Sequence, residues 1–401
     1  MNTIVRMFEN AIFYLHPIKR NNVVFMSYDG QYCDSPKEIS TCLLKKQVHC
    51  HQVWIVSNKA KYEFDTSIKV VKYGTLRARY YLATAKVIVD NVFGGNILEI
   101  HEHNKKYKYE IKKIFCHRKK KQKVFSTWHG TPIKKMGPDQ VGNDLIDWWG
   151  ENITLLLDND YTMDIMKRYT FNKVQVYKIG APRNDRLFSI DNDKVKELKK
   201  RAGIDEGKKV VVFAPTFRSK NGIISDTDVE NSGLKQMQMI DIHLLLNSLK
   251  NKFGGEWVFV CRFHYHVEKM VNWEELSEKS QGMVINGNLL DEMSDYLYIA
   301  DALISDVSSC MYDYAITRKP CFIFFPDYVH YKEEERGFYQ EIKELPFPFS
   351  DTFEGLLGNI NDFVGENYKI KIGELEEQLG YIRNSNSAES VTDFIISHGL
   401  N

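Results

Sequence analysis

Short apolar runs recur along the whole chain and are separated by longer polar or amphipathic segments. Runs rich in Val, Ile and Phe predict buried strands, and the intervening segments are long enough for helices. In the first half the predicted strands are residues 23–26, 53–56, 68–71, 87–89, 124–125, 154–157 and 174–177. In the second half they are residues 210–213, 257–260, 283–285, 302–304 and 321–325. Strands that alternate with helices predict an α/β protein with mostly parallel sheets.

The length of the chain predicts two domains. Its 401 residues are more than a domain with a single hydrophobic core usually contains. Hydrophobic residues make up 43%, which allows each half to bury a core of its own. A charged segment at residues 194–201 predicts a short solvated helix between the halves. We therefore predict Rossmann-like domains at residues 1–190 and 191–401, with helical segments near the C-terminus packing along their seam.

Several kinds of chemistry find no support in the sequence. No Gly-x-Gly-x-x-Gly follows a strand and no Gly-Lys-Ser/Thr loop is present, so nicotinamide and ATP chemistry are unsupported. The seven cysteines form no Cys-x-x-Cys pair, which favours a reducing cytoplasm over disulfides or structural zinc. The acidic clusters at residues 158–160 and 191–193 each precede a helical pattern and are predicted to cap helices. We predict no metal.

A histidine follows the predicted strand at residues 124–125. The run at residues 126–135 reads Ser-Thr-Trp-His-Gly-Thr-Pro-Ile-Lys-Lys, and its Gly and Pro predict a turn. Imidazole has an unperturbed pKa near neutrality, so His129 is suited to accept a proton from a hydroxyl. A lone histidine beside Trp128 is commonly structural, and the assignment therefore depends on the other motifs.

Arginine and histidine follow the predicted strand at residues 257–260. Arg262 and His264 are two positions apart, which places them on the same side of an extended chain. Arginine offers a planar fork suited to phosphate, and histidine offers a proton or a hydrogen bond. The pair predicts an anion site, with a salt bridge at the strand end as the alternative.

Two more strand ends carry groups suited to an anion. Arg218 ends the run Phe-Ala-Pro-Thr-Phe-Arg after the strand at residues 210–213, and such ends bind ligands in open α/β sheets. Ser308 and Ser309 precede a predicted helix, where backbone N–H groups and hydroxyls bind anions. Simple capping of that helix is the alternative.

Five motifs occur in a fixed order along the chain. They are His-Gly-Thr-Pro at residues 129–132, Gly-Ala-Pro-Arg-Asn-Asp at 180–185, Ala-Pro-Thr-Phe-Arg at 214–218, Arg-Phe-His at 262–264, and Ser-Asp-Val-Ser-Ser at 305–309, followed by Asp313-Tyr314 and Lys319-Pro320. From about Asn22 onward the chain resembles the CDP-glycerol glycerophosphotransferase family of teichoic acid synthesis. Ile133 stands in place of the more usual Leu, while Ser305 and Val307 stand where Thr and Tyr are common.

The resemblance implies a fold and a reaction. The fold is GT-B-like, with two Rossmann-like domains facing across a cleft, the first for the acceptor and the second for the CDP donor. The reaction moves glycerol phosphate from CDP-glycerol to a hydroxyl of a lipid-linked teichoic acid or capsule acceptor and releases CMP, without a cofactor. A CDP-ribitol donor, a GT-B nucleotide-sugar glycosyltransferase and a catalytically silent polyanion-binding scaffold are alternatives. Neither primase nor polymerase, and neither wall polymer nor capsule, follows from the sequence.

The resemblance also implies roles for individual residues. The acceptor hydroxyl loses a proton as it attacks the β-phosphorus of the donor, and we predict His129 as the general base. Arg262 and His264 are the further predicted catalytic residues, since charge on the pyrophosphate must be neutralised as CMP leaves. The predicted substrate-binding residues are Gly130, Thr131, Pro132, Arg183, Asp185, Pro215, Thr216, Arg218, Ser305, Asp306, Ser308, Ser309, Asp313, Asp327 and Tyr331.

Two segments suggest contact with a membrane. Residues 105–123 contain ten basic residues against the single acid Glu110, interleaved with Tyr, Ile and Phe. This composition suits an anionic lipid surface or a polyphosphate acceptor, with a solvated loop as the alternative and no recognised nucleic-acid module. Residues 1–16 have apolar positions at helical spacing but are too short to span a bilayer, and lie on a membrane or on the domain. We predict a cytoplasmic protein, peripheral on the inner face of the cell membrane, with no nucleic-acid partner.

Overall fold

The computed structural model describes residues 12–13, 15–28, 30–92, 119, 121–136, 139, 153–170, 172, 174–216, 218, 233–263, 265–268, 271–335 and 337–400. The predicted catalytic residue His264 lies outside the described residues. So do most of the N-terminal segment at residues 1–16 and most of the basic stretch at residues 105–123.

The chain divides into two units that are not continuous in sequence. The first unit comprises Met1–His129, Asn143–Asp185 and Gly380–Asn401, and the second comprises Gly130–Gly142 and Arg186–Leu379. The segment after His129 thus belongs to the second unit and the C-terminal segment to the first. The predicted boundary between residues 190 and 191, and the acceptor and donor roles of the domains, stay predictions.

The first unit contains a parallel sheet of seven strands in the order β3-β2-β1-β4-β5-β6-β7. The order reverses between β1 and β4, and in sheets of this kind such a reversal opens a crevice at the carboxyl ends of the strands. The central strands end in fully buried residues, as parallel strands covered on both faces require. The strands are β1 (Lys19–Phe25), β2 (His51–Val56), β3 (Lys69–Lys72), β4 (Ala85–Asp90), β5 (Lys123–Ser126), β6 (Ile153–Leu157) and β7 (Gln175–Lys178).

The second unit contains a six-stranded parallel sheet in the order β10-β9-β8-β11-β12-β13. The reversal here falls between β8 and β11. The strands are β8 (Lys209–Ala214), β9 (Trp257–Cys261), β10 (Val284–Asn286), β11 (Ala302–Ser305), β12 (Cys321–Phe324) and β13 (Phe349–Ser350). All twelve predicted strands are present, and the prediction of an α/β protein with parallel sheets is confirmed. The sequence pattern missed β13, because a strand of two residues has no periodicity.

The helices follow the strands in chain order. They are α1 (Asp34–Lys45), α2 (Leu76–Thr84), α3 (Asp160–Tyr169), α4 (Asn192–Arg201), α5 (Leu234–Gln238), α6 (Ile242–Phe253), α7 (Tyr265–Glu268), α8 (Trp273–Lys279), α9 (Met293–Ile299), α10 (Cys310–Ala315), α11 (Tyr328–His330), α12 (Phe353–Asn361), α13 (Gly365–Leu379) and α14 (Ser387–Ile395). Short 3₁₀ segments occur at Lys59–Lys61, Pro182–Phe188 and Ile342–Glu344, and π turns at Tyr331–Glu335 and Ile396–Leu400.

The two acidic clusters cap helices, as predicted. The Asn159 side chain accepts a hydrogen bond from the backbone of Thr162 at 2.6 Å and begins α3. The Asp191 carboxylate accepts from the backbones of Asp193 and Lys194 at 2.8 and 3.3 Å and begins α4. Both clusters thus satisfy the free N–H groups of a helix start.

The described part of the chain lacks the features of a membrane span and of a metal centre. Among those residues no helix has the length and hydropathy needed to cross a bilayer. The same residues contain no cluster of His, Cys, Asp and Glu with the geometry of a metal site. Their six cysteines carry free thiols, four of them buried.

Candidate active site

Polar residues follow β1, β4 and β5 at the reversal point of the first sheet. His129 follows β5 and Asn91 follows β4, and His129 Nδ1 lies 2.8 Å from the Asn91 backbone oxygen. A carbonyl oxygen can only accept, so Nδ1 carries the proton in the neutral ring and the lone pair lies on Nε2. The fold therefore selects the tautomer in which Nε2 can act as a base.

Aromatic rings flank His129. The ring centroid of Trp128 lies 4.0 Å from that of the imidazole, and the centroid of Tyr28 lies 6.0 Å from it. The backbone of Trp128 is left-handed, with φ +54°. The Tyr28 backbone donates to Asn91 Oδ1 at 3.0 Å, and its hydroxyl donates to Asp34 at 2.9 Å. Burial, followed by the charge of Asp34, raises the pKa of Tyr28 well above its ordinary value, so the phenol stays protonated.

The sequence prediction missed Tyr28, Asp34 and Asn91. Each lies within a few residues of the carboxyl end of a correctly predicted strand, or at the start of the next helix. Position at a strand end was the available signal. It did not distinguish these residues from their neighbours, since the contacts with His129 span the long separation between β1, β4 and β5.

The Gly-Ala-Pro-Arg-Asn-Asp motif docks the C-terminal helix in the first unit. The Asp185 carboxylate accepts hydrogen bonds from the backbones of Ser387 and Ala388 at 2.9 and 2.7 Å, at the start of α14. Gly180 has φ +137°, and a Cβ there would collide with Ser387. Burial raises the pKa of Asp185, and the hydrogen bonds from Ala388 and Ser387 oppose that rise.

Arg183, from the same motif, is buried with 7% exposure. Its backbone donates to Ser35 Oγ at 3.3 Å. The structure thus places Arg183 and Asp185 in the first unit, with His129. Their roles in substrate binding stay predictions.

In the second unit, the loops after β8, β11 and β12 are joined through Arg218. Its guanidinium makes paired 2.9 Å contacts to Asp327, a 2.7 Å contact to Asp306 and a 2.9 Å bond to the Thr216 carbonyl. Gln236 donates to both carboxylates at 3.3 Å. We call these five residues the Arg218 cluster. Arg218 is only 4% exposed, so its charge is used inside the protein.

Asp306 spans the reversal point between β8 and β11. Its Oδ1 accepts from the backbone and hydroxyl of Thr216 at 2.8 and 2.6 Å, and from the backbone of Val307 at 2.5 Å. Burial alone would raise the pKa of Asp306, but the charge of Arg218 and the Thr216 hydroxyl outweigh burial and lower it. The carboxylate is therefore ionised and held in place.

Tyr331 covers one face of the Arg218 cluster. Its ring stacks on Phe338 at 5.5 Å, with 7° between the planes, and lies 4.9 Å from the Arg218 guanidinium carbon. Its backbone donates to the Asp327 carbonyl at 2.9 Å. The predicted residues Thr216, Arg218, Asp306, Asp327 and Tyr331 are thus brought together.

The segment after His129 packs within the second unit, to which it belongs. Gly130 has φ +145°, and a Cβ there would lie 2.7 Å from Ser309 Oγ, so a larger residue would displace the serine. Thr131 and Pro132 are buried, and Lys134 forms an antiparallel bridge with Phe338. Two predicted motifs, His-Gly-Thr-Pro and Ser-Asp-Val-Ser-Ser, therefore meet at Gly130 and Ser309.

The serines of the last motif differ in accessibility. Ser305 is fully buried and donates to the Ala214 carbonyl at 2.6 Å, so its hydroxyl joins β11 to β8. Ser308 and Ser309 are half-buried ahead of α10, and Ser308 Oγ lies 3.5 Å from the Cys310 nitrogen. Asp313 is half-buried within α10.

Arg262 and Pro215 organise loops of the second unit. The Arg262 guanidinium donates to the carbonyls of Gly287, Leu290 and Asp291, each at 2.8 Å, and thereby holds the loop after β10. Pro215 packs against Gly233, whose φ of +45° suits glycine. The predicted contact of Arg262 with phosphate stays a prediction.

Comparison with known proteins identifies the family of the chain. The model of the family described as CDP-Glycerol:Poly(glycerophosphate) glycerophosphotransferase matches residues 8–397. The chain belongs to this family. The predicted family and the predicted class of transferase are confirmed.

Curated relatives share about a quarter of their residues with this glycerophosphotransferase. The teichoic acid poly(glycerol phosphate) polymerase of Bacillus spizizenii is 25% identical, over 98% of this chain and 97% of that protein. The protein of the same name in Bacillus subtilis is 25% identical, over 94% of this chain but 49% of that protein. The teichoic acid glycerol-phosphate transferase of Staphylococcus aureus is 25% identical, over 89% and 88%. The chain thus spans about half of the Bacillus subtilis relative and nearly all of the Bacillus spizizenii one.

The solved structure of the wall teichoic acid polymerase TagF has the same fold. Its TM-score is 0.76 at 23% identity, over 98% of this chain and 93% of that chain. The predicted GT-B-like fold is confirmed.

Proposed function

We propose that this protein transfers glycerol phosphate from CDP-glycerol to a hydroxyl of a teichoic acid chain and releases CMP. Membership of the glycerophosphotransferase family supports the reaction class. The observation that carries the mechanism is the bond between His129 Nδ1–H and the Asn91 carbonyl, because it leaves the lone pair on Nε2. A TagF variant soaked with CDPG shares the fold, with a TM-score of 0.74.

His129 acts as the general base in this proposal. The acceptor hydroxyl attacks the β-phosphorus of CDP-glycerol, its proton passes to Nε2, and the bond from that phosphorus to the bridging oxygen of CMP breaks. Proton removal by a positioned imidazole contributes about 10²–10⁴-fold to such a step. Asn91 orients the ring from behind, as a carbonyl partner does for many functional histidines.

The donor binds at the strand ends of the second unit in this proposal. Ser308 and Ser309 offer hydroxyls at the carboxyl edge of the sheet, next to the reversal point where such sheets bind ligands, whereas the Thr216 hydroxyl donates to Asp306. Arg262 and His264 are assigned to the departing CMP. Donor binding in this unit predicts that a Ser308→Ala/Ser309→Ala double variant weakens CDP-glycerol binding without loss of fold.

The donor is the part of the proposal that is tested first. The purified chain is incubated with a lipid-linked acceptor and CDP-glycerol, CDP-ribitol or a UDP-sugar, and released CMP or UDP and the product mass are measured. We expect CMP release with CDP-glycerol and a mass increase of one or more glycerol phosphates. Product formed from CDP-ribitol alone would assign ribitol, and product from the UDP-sugar alone would assign a glycosyltransferase. The number of units added distinguishes a primase from a polymerase.

We further propose that the first unit docks on an anionic membrane, where a lipid-linked acceptor is held. Phe13 and His16 pack on Tyr80 of α2 at 6.2 and 5.4 Å, and leave Ile12 and Leu15 47% and 83% exposed. Leu76, one turn before Tyr80, is 51% exposed. Exposed apolar residues beside basic ones suit the lipid interface.

The sequence segment that contains Leu76 and Tyr80 has basic residues and no acidic ones. Lys19 Nζ lies 5.3 Å from the Tyr80 ring, and Lys119 donates to the carbonyl of Phe13 at 3.4 Å. Residues 66–89 contain no acidic residue, and their five basic residues are Lys69, Lys72, Arg77, Arg79 and Lys86. Apart from Lys119, these residues lie outside the basic stretch at residues 105–123, and they add a second line of support to the membrane proposal.

Vesicle sedimentation tests the membrane proposal. The Leu76→Asp/Arg77→Glu variant should bind vesicles of phosphatidylglycerol and phosphatidylcholine more weakly, since each basic residue near such a surface contributes about 1 kcal/mol. The equally exposed Leu244→Asp on α6 serves as control. Changing Lys119, Lys120 and Lys121 to Glu tests the basic stretch in the same way. Normal vesicle binding by both variants would remove the membrane from the proposal.

A further inference from the structure

The Arg218 cluster carries more negative than positive charge. Arg218 contributes one positive charge, while Asp306 and Asp327 contribute two negative ones, and all three are in direct contact. The lowered pKa of Asp306 keeps that carboxylate ionised. A pyrophosphate that approached the cluster alone would therefore meet a net negative charge, which is unfavourable for an anion.

Lys134 lies beside this cluster. Its Nζ is 5.7 Å from the ring centroid of Tyr331, whose ring also lies 4.9 Å from the Arg218 guanidinium carbon. The charge of Lys134 also contributes to the lowered pKa of Asp306. Lys134 is half-buried, whereas Arg218 is 4% exposed. Lys134 is thus the more accessible of these two cations.

The backbone holds Lys134 between two predicted donor-binding elements. Four residues earlier, Gly130 packs against Ser309. At Lys134 the chain is bridged to Phe338, and the Lys135 backbone donates to the Gly337 carbonyl at 3.2 Å. The segment therefore runs over the second unit from Ser309 to the residue on which Tyr331 stacks. An ammonium placed there can move on its flexible stem toward a phosphate.

We propose that Lys134 binds the pyrophosphate of the nucleotide donor, while the Arg218 cluster holds the loops around that site. The assignment rests on the proposed function and adds a donor-binding residue to it. In this assignment the two cations have different roles. Arg218 is paired with carboxylates and holds the loops in position. Lys134 compensates the net negative charge of the cluster and contacts the pyrophosphate.

Titration calorimetry with CDP-glycerol on the intact protein tests this assignment. Lys134→Gln should weaken binding about tenfold or more, the scale of a lost hydrogen bond to a charged group. Its binding should also depend less on salt than that of the wild type, since one screened ion pair is missing. Lys134→Arg should recover most of the affinity. Lys135→Gln, the neighbouring lysine on the same segment, should stay within about twofold of the wild type.

The outcomes separate this inference from the proposed function. If wild-type protein binds CDP-glycerol and Lys134→Gln binds it equally well, Lys134 is not a donor contact. Weaker binding with an unchanged salt dependence and no recovery in Lys134→Arg would also overturn the assignment, because shape rather than charge would then be lost. If the wild type neither binds CDP-glycerol nor releases CMP, the proposed function fails and this assignment fails with it.

Discussion

The strand ends of the two units hold polar groups in opposite ways. In the first unit His129 is flanked by the neutral groups Asn91, Trp128 and Tyr28. In the second unit Arg218 is clamped between Asp306 and Asp327, with little exposure to solvent. A general base has to gain and lose a proton near neutral pH, whereas a charged cluster that fixes loops must keep its charges at every working pH. The difference supports our proposals of proton transfer by His129 in the first unit and of a binding site organised by the Arg218 cluster in the second.

The largest expected effect comes from opening the Arg218 cluster. Arg218→Ala leaves Asp306 buried and unpaired, and removing one partner of a buried ion pair costs about 3–5 kcal/mol. We expect a loss of that size in the free energy of unfolding in urea. Arg201→Ala is the control, because its 3.8 Å pair with Glu197 is on the surface and contributes about 1 kcal/mol or less. Equal losses of unfolding free energy in the two variants would show that the Arg218 cluster stabilises the fold no more than a surface ion pair does.

Removing the base should affect turnover and leave stability unchanged. We expect His129→Ala to lower the rate of CMP release at least about a hundredfold, with an unchanged urea midpoint and unchanged CDP-glycerol affinity. His264→Ala, at a position outside the described residues, is expected to cause a loss of similar size. The exposed His49→Ala controls for the loss of any histidine. Near wild-type turnover in His129→Ala would show that His129 is not the general base.

A smaller effect is expected at the C-terminal helix of the first unit. Asp185→Ala removes the carboxylate that accepts from Ser387 and Ala388, and loss of such a cap costs about 0.5–2 kcal/mol. Hydrogen exchange should rise in α14 before it rises in β1. The exposed Asp193→Ala in α4 is the control. Unchanged protection of α14 would contradict the docking role and return Asp185 to the list of substrate contacts.

The smallest effect is a difference in pH dependence between the buried Asp306 and the half-buried Asp185. The pKa of Asp306 is lowered in the folded state, so the stability that it contributes is complete above its unfolded pKa of about 3.9 and is lost as pH falls further. The pKa of Asp185 is raised by burial, so its folded state binds more protons and its contribution falls as pH rises from about 3.9.

Urea midpoints measured from below the unfolded pKa of about 3.9 up to neutral pH test these opposite signs. The stability of wild type relative to Asp306→Asn should grow as pH rises, whereas that relative to Asp185→Asn should shrink. The same sign for both variants would show that the two carboxylates are not in different electrostatic environments.

Much of the fold was accessible from local pattern. Twelve strands were placed from apolar runs, and Asn159 and Asp191 were recognised as caps, because burial of a strand and capping of a helix are written in consecutive residues. The two-residue strand β13 and the division of the chain into discontinuous units were not accessible. Both depend on which segments pack together and not on any periodicity.

The candidate site was accessible only as a set of positions. The sequence by itself determined that His129, Arg218, Asp306 and Ser308 follow strands, where parallel sheets bind ligands, and the family motifs identified the class of transferase. Only the tertiary structure decided what each side chain contacts. Arg218 binds two carboxylates, Asp185 caps a helix from the far end of the chain, and Asn91 sets the tautomer of His129. The physical reason is that apolar runs and motif spacings are properties of consecutive residues. The hydrogen-bond or charge partner of a side chain depends instead on how residues far apart in sequence pack together.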